Sequence, residues 1–391
     1  MFKRNGAGIS LGILMGKIQI VDLAVDGAGN VERACSILSN GGVVALPTET
    51  VYGLAASIDH SQGLQTIFSL KKRPHADPLI VHVFDASWIS RFAKLTLWQS
   101  SVANALAARF WPGPLTMVLE SKSSVDPLVR AGSSTVALRS PRHPFFRAVL
   151  RALDSGIAAP SANMFGHISP TSARDVAQEF SDSDLVIFDG GDCDIGIEST
   201  VVRIDDEGRL RILRPGIVTE NEIQKCLGAA GLVAAIHSEA LVTQKNSTPQ
   251  MSPGTLLKHY SPRLPTYILT DGEFAQDWHQ SSSQAIPSHC CVILDFGSSL
   301  LRFVESGEIE CLSYLNPAPD GDLENFTQKL FATLRLAESI QGCRAILIHF
   351  PCAPEQGWSQ AIHDRIYRAA AGKRAIVSVA RRSVQVFDAV L

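Results

Sequence analysis

The chain has 391 residues, 46% of them hydrophobic and 19% charged, with a formal net charge of −3 and a pI near 6.4. That length exceeds one ordinary core and predicts two domains. The near-balanced charge excludes a strong basic field over the whole chain, and no apolar run reaches the length of a membrane span.

The start, MFKRNGAGISLGILMGKIQI, joins a basic flank to a short apolar piece that Lys17 interrupts, and no small-residue cleavage site is clear. Residues 1–24 therefore read as an N-terminal extension, with Met15 as an alternative start and a cytoplasmic location expected. Val31, Ala34, Cys35 and Leu38 have helical spacing, with Asn30 as the expected N-cap and Gly41-Gly42 as a stop. Further helices are expected at 64–70, 98–110, 144–153 and 171–180. Strands are expected at 43–46, 79–84, 116–119, 135–138, 157–159, 185–188, 200–204 and 210–213. Thr219-x-x-Glu222 is a capping box opening a helix to residue 226. This alternation predicts an α/β domain with a mixed sheet over 25–228. Residues 229–264 pass into TQKNSTPQMSPGTLLKHYSPRLP, a linker by composition. Strands at 266–270, 291–296, 345–350 and 376–379, with helices at 323–339 and 358–371, predict a smaller, doubly wound α/β domain over 265–391. The eight cysteines include no C-x-x-C pair and read as buried reduced thiols rather than zinc ligands or disulfides.

Familiar nucleotide and hydrolase signatures are missing: no P-loop, no third glycine after Gly27-Ala-Gly29, no H-E-x-x-H and no G-x-S-x-G. Four polar clusters stand out instead. ALPTETVYGLAA leaves a hydrophobic strand and presents Thr48, Glu49, Thr50 and Tyr52, a set that turn chemistry does not require but a strand-end binding site does. Lys71-Lys72-Arg73 before Pro74 either complements a helix C-terminus or aims cations at a polyphosphate. IAAPSANMFGHISPTSA places Ser161 and Asn163 after a strand and leads into a helix capped at Ser169 or Thr171, as a plain loop or as a cradle for phosphate or ribose. GIESTVVRI and RILRPG set Arg214 at a further strand end.

Taken in order, PTETVYGL, KKRPxxxPLIVHV, FWPGPLT, TVALRSPRHP, APSANxxGxxSPT, DGGDCDIGIESTVV, ILRPGIVT and SPGTLLKHYSP resemble the YrdC-type threonylcarbamoyl-AMP synthases. The resemblance is to the long form, which has a linker and a second domain. It implies a twisted mixed-sheet YrdC-like domain followed by a Rossmann-like α/β domain. It also implies an enzyme that joins L-threonine, bicarbonate and ATP into threonylcarbamoyl-AMP and releases pyrophosphate. Partner transferase proteins would then modify tRNA, so tRNA is an indirect partner. Mg2+ is the one cofactor implied, held mainly by the ATP phosphates, with its protein ligands unknown.

By motif position the resemblance puts Lys71 and Arg73 in catalytic roles on the phosphates. Arg73, Asp77, Thr135, Ser161, Asn163, Ser169, Arg214 and Tyr260 would face ATP. Thr50, His82, Arg139, Ala159 and Ser199 would line the threonine pocket, with Arg139 as partner of the substrate carboxylate. Without it, His82 reads as a core histidine and Tyr260 as linker packing. The sequence departs from the family at Asp77, where Asn is usual, at Phe165, at Arg203, where an acidic residue is common, and at Thr255-Leu256. Residues 250–264 are expected to act as a lid over ATP. Two other readings stand beside this one: an RNA-binding module using Lys71, Lys72, Arg73, Arg139, Arg142 and Arg147, and a carbamoyltransferase-type YrdC domain.

Overall fold

The computed structural model describes residues 14–15, 18–205, 208–238, 260–269, 284–353, 357–378 and 383–387. Most of the expected lid, including Thr255-Leu256, lies outside the described residues.

The first unit is built on a twelve-stranded mixed sheet. Its order is Leu14–Met15, Ile18–Asp22, Leu185–Asp189, Val44–Leu46, Gly53–Ser57, Ile157–Ala158, Ile80–His82, Thr135–Arg139, Leu115–Glu120, Thr200–Ile204, Arg209–Arg214 and Ala235–Ser238. Ile18–Asp22 pairs in parallel with Leu185–Asp189, so the sheet begins upstream of residue 25. Ala235–Ser238, inside the segment read as linker, pairs in parallel with Arg209–Arg214.

Local chemistry explains most helix starts. Helix Gly27–Ser39 is capped by Asp26, whose carboxylate accepts from Gly29 N, and not by Asn30. Asn30 lies one turn inside and donates its amide to Val25 O at 2.7 Å. Helix Ala173–Glu179 starts at Ser172, which forms a capping box with Asp175; neither Ser169 nor Thr171 is the cap. Asp175 reaches back to the backbone N of both Thr171 and Ser172, which sets the start one residue later. The Thr219–Glu222 box is present and opens helix Glu220–Ala229. Strand Gly53–Ser57, GLAAS, is buried at every position, so it has no alternation to announce it.

The second unit has a seven-stranded sheet: Gln284–Pro287, Ser383–Phe387, Arg374–Ser378, Thr266–Leu269, Ala345–Ile348, Cys291–Leu294 and Ser313–Leu315. From Arg374–Ser378 to Ser313–Leu315 the neighbours run parallel, and Ser383–Phe387 adds an antiparallel strand. Helices Leu323–Ser339 and Trp358–Ala369 pack on this sheet and bury Phe326, Leu330, Phe331, Leu334, Ile362 and Ile366. That core does not stop at the domain boundary, for Val51, Ile168, Ile195 and Ile197 of the first unit and Tyr260 belong to the same cluster. Among the described residues no helix is long and apolar enough to cross a membrane.

Candidate functional site

Strand Val44–Leu46 ends at Pro47, and Thr48 then folds the chain. Its Oγ1 accepts from Thr50 N at 3.0 Å and Val51 N at 3.2 Å, and donates to Val51 O at 2.7 Å. This tight hydroxyl-centred turn exposes Thr50 to a cavity and turns Glu49 sideways. Glu49 Oε1 accepts from Arg139 Nη2 at 2.8 Å and Oε2 accepts from Arg142 N at 2.9 Å. Burial pushes the Glu49 carboxyl up, but the Arg139 charge and these hydrogen bonds outweigh it and hold the group below its usual range. Tyr52 donates its hydroxyl to Gly191 O at 2.8 Å and accepts from Gly190 N, tying the turn to the loop after Leu185–Asp189.

The basic triplet separates by direction. Lys72 takes the left-handed C-cap position, with φ of 52°, and is exposed. Lys71 and Arg73 turn inward and are buried. Lys71 Nζ donates to Ser161 O at 2.5 Å and Asn163 O at 2.6 Å, so it folds the SAN loop. Burial, aided by the Arg73 charge, pulls its pKa well below the usual lysine range. Arg73 donates to Asp77 O and Pro78 O and lies 2.9 Å from Asp77 Oδ2. That contact is an ion pair by distance, but neither Asp77 oxygen has a hydrogen bond of good geometry. Burial raises the Asp77 carboxyl despite the neighbouring Arg73, Lys71 and Arg214.

His82 is buried against the Phe146 ring at 5.0 Å, and its Nδ1 has no hydrogen-bond partner. Burial and the Arg139 charge push it down to about 3, so the imidazole is neutral. Ser199 Oγ shares a 2.7 Å hydrogen bond with Thr116 Oγ1 and accepts from Arg214 Nη2. Arg214 Nη1 donates to the Tyr260 hydroxyl at 3.3 Å. Tyr260 itself has a φ of 59°, is 1% exposed and stacks on Phe331 of the second unit.

These groups converge. Thr50, His82, Arg139, Ala159, Ser161, Arg73, Arg214 and Tyr260 line one cavity, together with Thr48, Tyr52 and Glu198. Lys71, Asp77, Asn163, Ser169 and Ser199 stand behind that lining through the bonds above and through Ser169 Oγ, which donates to Glu198 Oε1. Thr135 is not brought to the cavity. It lines a separate hollow of about 370 Å³ with Lys94, Gln99, Glu120, Arg203 and Asp205. Arg203 is paired there with Asp205 at 2.7 Å, so this departure adds no net charge to the main cavity. Phe165 N donates to Lys71 O, a backbone role open to many residue types.

The enclosed space is only about 40 Å³. That is room for little more than a water, far below the roughly 300–1,000 Å³ of small-molecule sites. Glu49, Glu198 and, from the second unit, Arg365 went unassigned from sequence. The first two sit inside polar motifs. Arg365 lies in an ordinary amphipathic helix and gave no signal.

Residues 36–216 match the family model described as telomere recombination, and residues 218–371 match the threonylcarbamoyl-AMP synthase C-terminal domain. A threonylcarbamoyl-AMP synthase from Bacillus subtilis is 33% identical over 350 residues, covering 88% of this chain and 93% of that protein. One from Schizosaccharomyces pombe is 31% identical, covering 87% and 88%. The fold is similar to that of the Pyrococcus abyssi protein Sua5 crystallised with L-threonine, with a TM-score of 0.75, 29% identity and coverage of 91% and 98%.

Proposed function

Because the chain belongs to the threonylcarbamoyl-AMP synthase family, we propose that this cavity joins L-threonine, bicarbonate and ATP into threonylcarbamoyl-AMP and pyrophosphate, for tRNA modification. The observation that carries the reading is the convergence of a neutral histidine, three buried arginines and two threonine hydroxyls on one cavity at strand ends. The RNA-binding alternative fits less well, since Lys71, Arg73 and Arg139 point inward and present no surface to a duplex.

In this mechanism the threonine amine adds to the carbon of bicarbonate with loss of water, or to the CO2 formed when bicarbonate loses hydroxide, which then takes the amine proton as water. An oxygen of the resulting carbamate attacks the α-phosphorus, and pyrophosphate leaves. Little covalent help is required, so placement and charge neutralisation supply the rate. Neutral His82 accepts a hydrogen bond from the substrate amine or hydroxyl through its open Nδ1. Arg139, held by Glu49, offers the rest of its guanidinium to the threonine carboxylate. Thr50 supplies a hydroxyl beside it, and the Ala159 backbone and Ser199 complete that side.

Arg73 and Arg214 neutralise the polyphosphate, with Ser161 facing the nucleotide. Lys71 acts by fixing the Ser161–Asn163 loop. Magnesium supplies charge neutralisation at the phosphates. Asp77 does not fit it as a ligand, because its Oδ2 is paired with Arg73 at 2.9 Å and it stands behind the cavity lining, so the metal would be held mainly by the substrate phosphates. The test is pyrophosphate release from ATP, magnesium and bicarbonate, with L-threonine, with L-serine and with neither. Threonine-dependent release is expected, and its absence from folded protein would overturn the reading.

A further inference from the structure

Helix Trp358–Ala369 of the second unit sends one side chain into the wall of the cavity. Arg365 has no exposed side-chain surface. Its Nε donates to Glu198 Oε2 at 2.8 Å, its Nη2 to Glu198 O at 3.3 Å and its Nη1 to Pro215 O at 3.0 Å. Asp364 balances the charge at 2.6 Å and is itself paired with Arg368. The guanidinium lies 5.2 Å from the centre of the Tyr260 ring. Glu198 and Tyr260 both line the cavity, and Pro215 follows Arg214, which also does.

Simple adhesion between the units does not call for this arrangement. Val51, Ile168, Ile195 and Ile197 already supply apolar contact, and Gly196 approaches the Gln328 backbone so closely that a Cβ would sit 2.3 Å from its carbonyl oxygen. Burying an arginine carries a desolvation cost that apolar packing avoids, so it is a poor choice for adhesion alone. What the guanidinium adds is direction. Its fork holds both the side chain and the backbone carbonyl of Glu198, and its face meets the aromatic ring over the cavity.

We propose that Arg365 is a positioning residue of the synthase: from the second unit it fixes Glu198 and Tyr260, and so shapes the nucleotide side of the cavity. This rests on the function proposed above. It gives the second unit a part in substrate binding through one side chain.

The experiment compares wild type with Arg365→Gln, Arg365→Lys, Glu198→Gln and the Arg365→Gln/Glu198→Gln double variant. Assays run below each variant's melting range. The glutamine variant should raise KM for ATP at least tenfold, with a smaller change in KM for L-threonine and in kcat. Lysine, which keeps the charge without the fork, should rescue only part. The double variant should be no worse than the worse single one, because the two side chains act as a unit. Hydrogen exchange read on the same proteins should speed up at residues 196–199 and 260–262 in Arg365→Gln. Unchanged exchange there overturns the proposal whatever the assay shows. So does a wild-type KM for ATP in Arg365→Gln, or a loss of kcat that merely follows the folded fraction. A wild-type enzyme without threonine-dependent turnover would sink the functional reading alone, since the exchange measurement still decides the role of Arg365.

Discussion

Glu49 and Arg139 neutralise each other with side chains 1% and 5% exposed. Removing one partner leaves a buried charge uncompensated, which costs about 3–5 kcal/mol. Glu49→Ala should therefore lose about that much in denaturant unfolding, even though Glu49 need not touch substrate; a loss under about 1 kcal/mol would contradict the pairing. His82 makes a pH prediction with a definite sign. Its folded pKa is about 3 against an ordinary 6.5, so the neutral form is the one built into the fold. Its contribution to stability is fully present above pH 6.5 and is lost as pH falls from there through about 3. Urea unfolding of wild type and His82→Gln across that window should show a shallower acid loss in the variant.

At this scale the sequence revealed residue types better than partners. Lys71 and Arg73 are assigned through the resemblance, because a basic helix end alone leaves the helix-terminus reading open. The Glu49–Arg139 pair spans 90 residues and Glu198–Arg365 spans 167, and no local pattern reports contacts at that range.

At the scale of elements, strong local signals gave exact bounds. Pro144–Leu153 and Leu323–Ser339 begin and end where spacing, proline and capping residues place them. Fully buried strands rich in Val, Ile or Leu could be read, as at Val44–Leu46 and Cys291–Leu294, but strands with few such residues escaped. GLAAS at Gly53–Ser57 has no polar face, and Ser313–Leu315 is half-buried throughout and only three residues long. The order of strands could not be read either, because pairing joins segments far apart in sequence. The loop before strand Thr200–Ile204 makes a prediction of its own. Gly196 has φ of +81°, and an added Cβ would meet the Gln328 carbonyl oxygen at 2.3 Å. Gly196→Ala should cost at least about 1 kcal/mol from backbone conformation alone. It should also loosen the contact with helix Leu323–Ser339, visible as faster hydrogen exchange in both segments. A variant as stable as wild type would show that the close approach is dispensable.

For the whole molecule, the question is whether two sheets make two folding units. The shared cluster and the ion pair Arg335–Glu179 at 2.9 Å tie them together. Calorimetry should therefore show one cooperative transition, and two separated transitions would contradict this. Acid should weaken the tie. Burial opposes the Glu179 charge, yet the His167 hydrogen bond and Arg335 hold its carboxyl down to about 2, against an ordinary 4.5. Its contribution is complete above pH 4.5 and disappears as pH falls through about 2, an effect that Glu179→Gln should blunt. The division into two α/β units could be read from the alternation and the linker-like composition. The shared core could not, because Ile195 and Ile197 look in sequence like any buried loop residues.

The cavity of about 40 Å³ has a consequence for measured affinities. On the proposed function, a conformer that full does not admit ATP, so binding would draw on a roomier minority, and the apparent dissociation constant would be the intrinsic one divided by that minority's share. If one molecule in a hundred is roomy, affinity is discounted by about a hundredfold. A substitution that trims a lining residue with no substrate contact assigned to it, such as Val51→Ala, would then bind ATP more tightly.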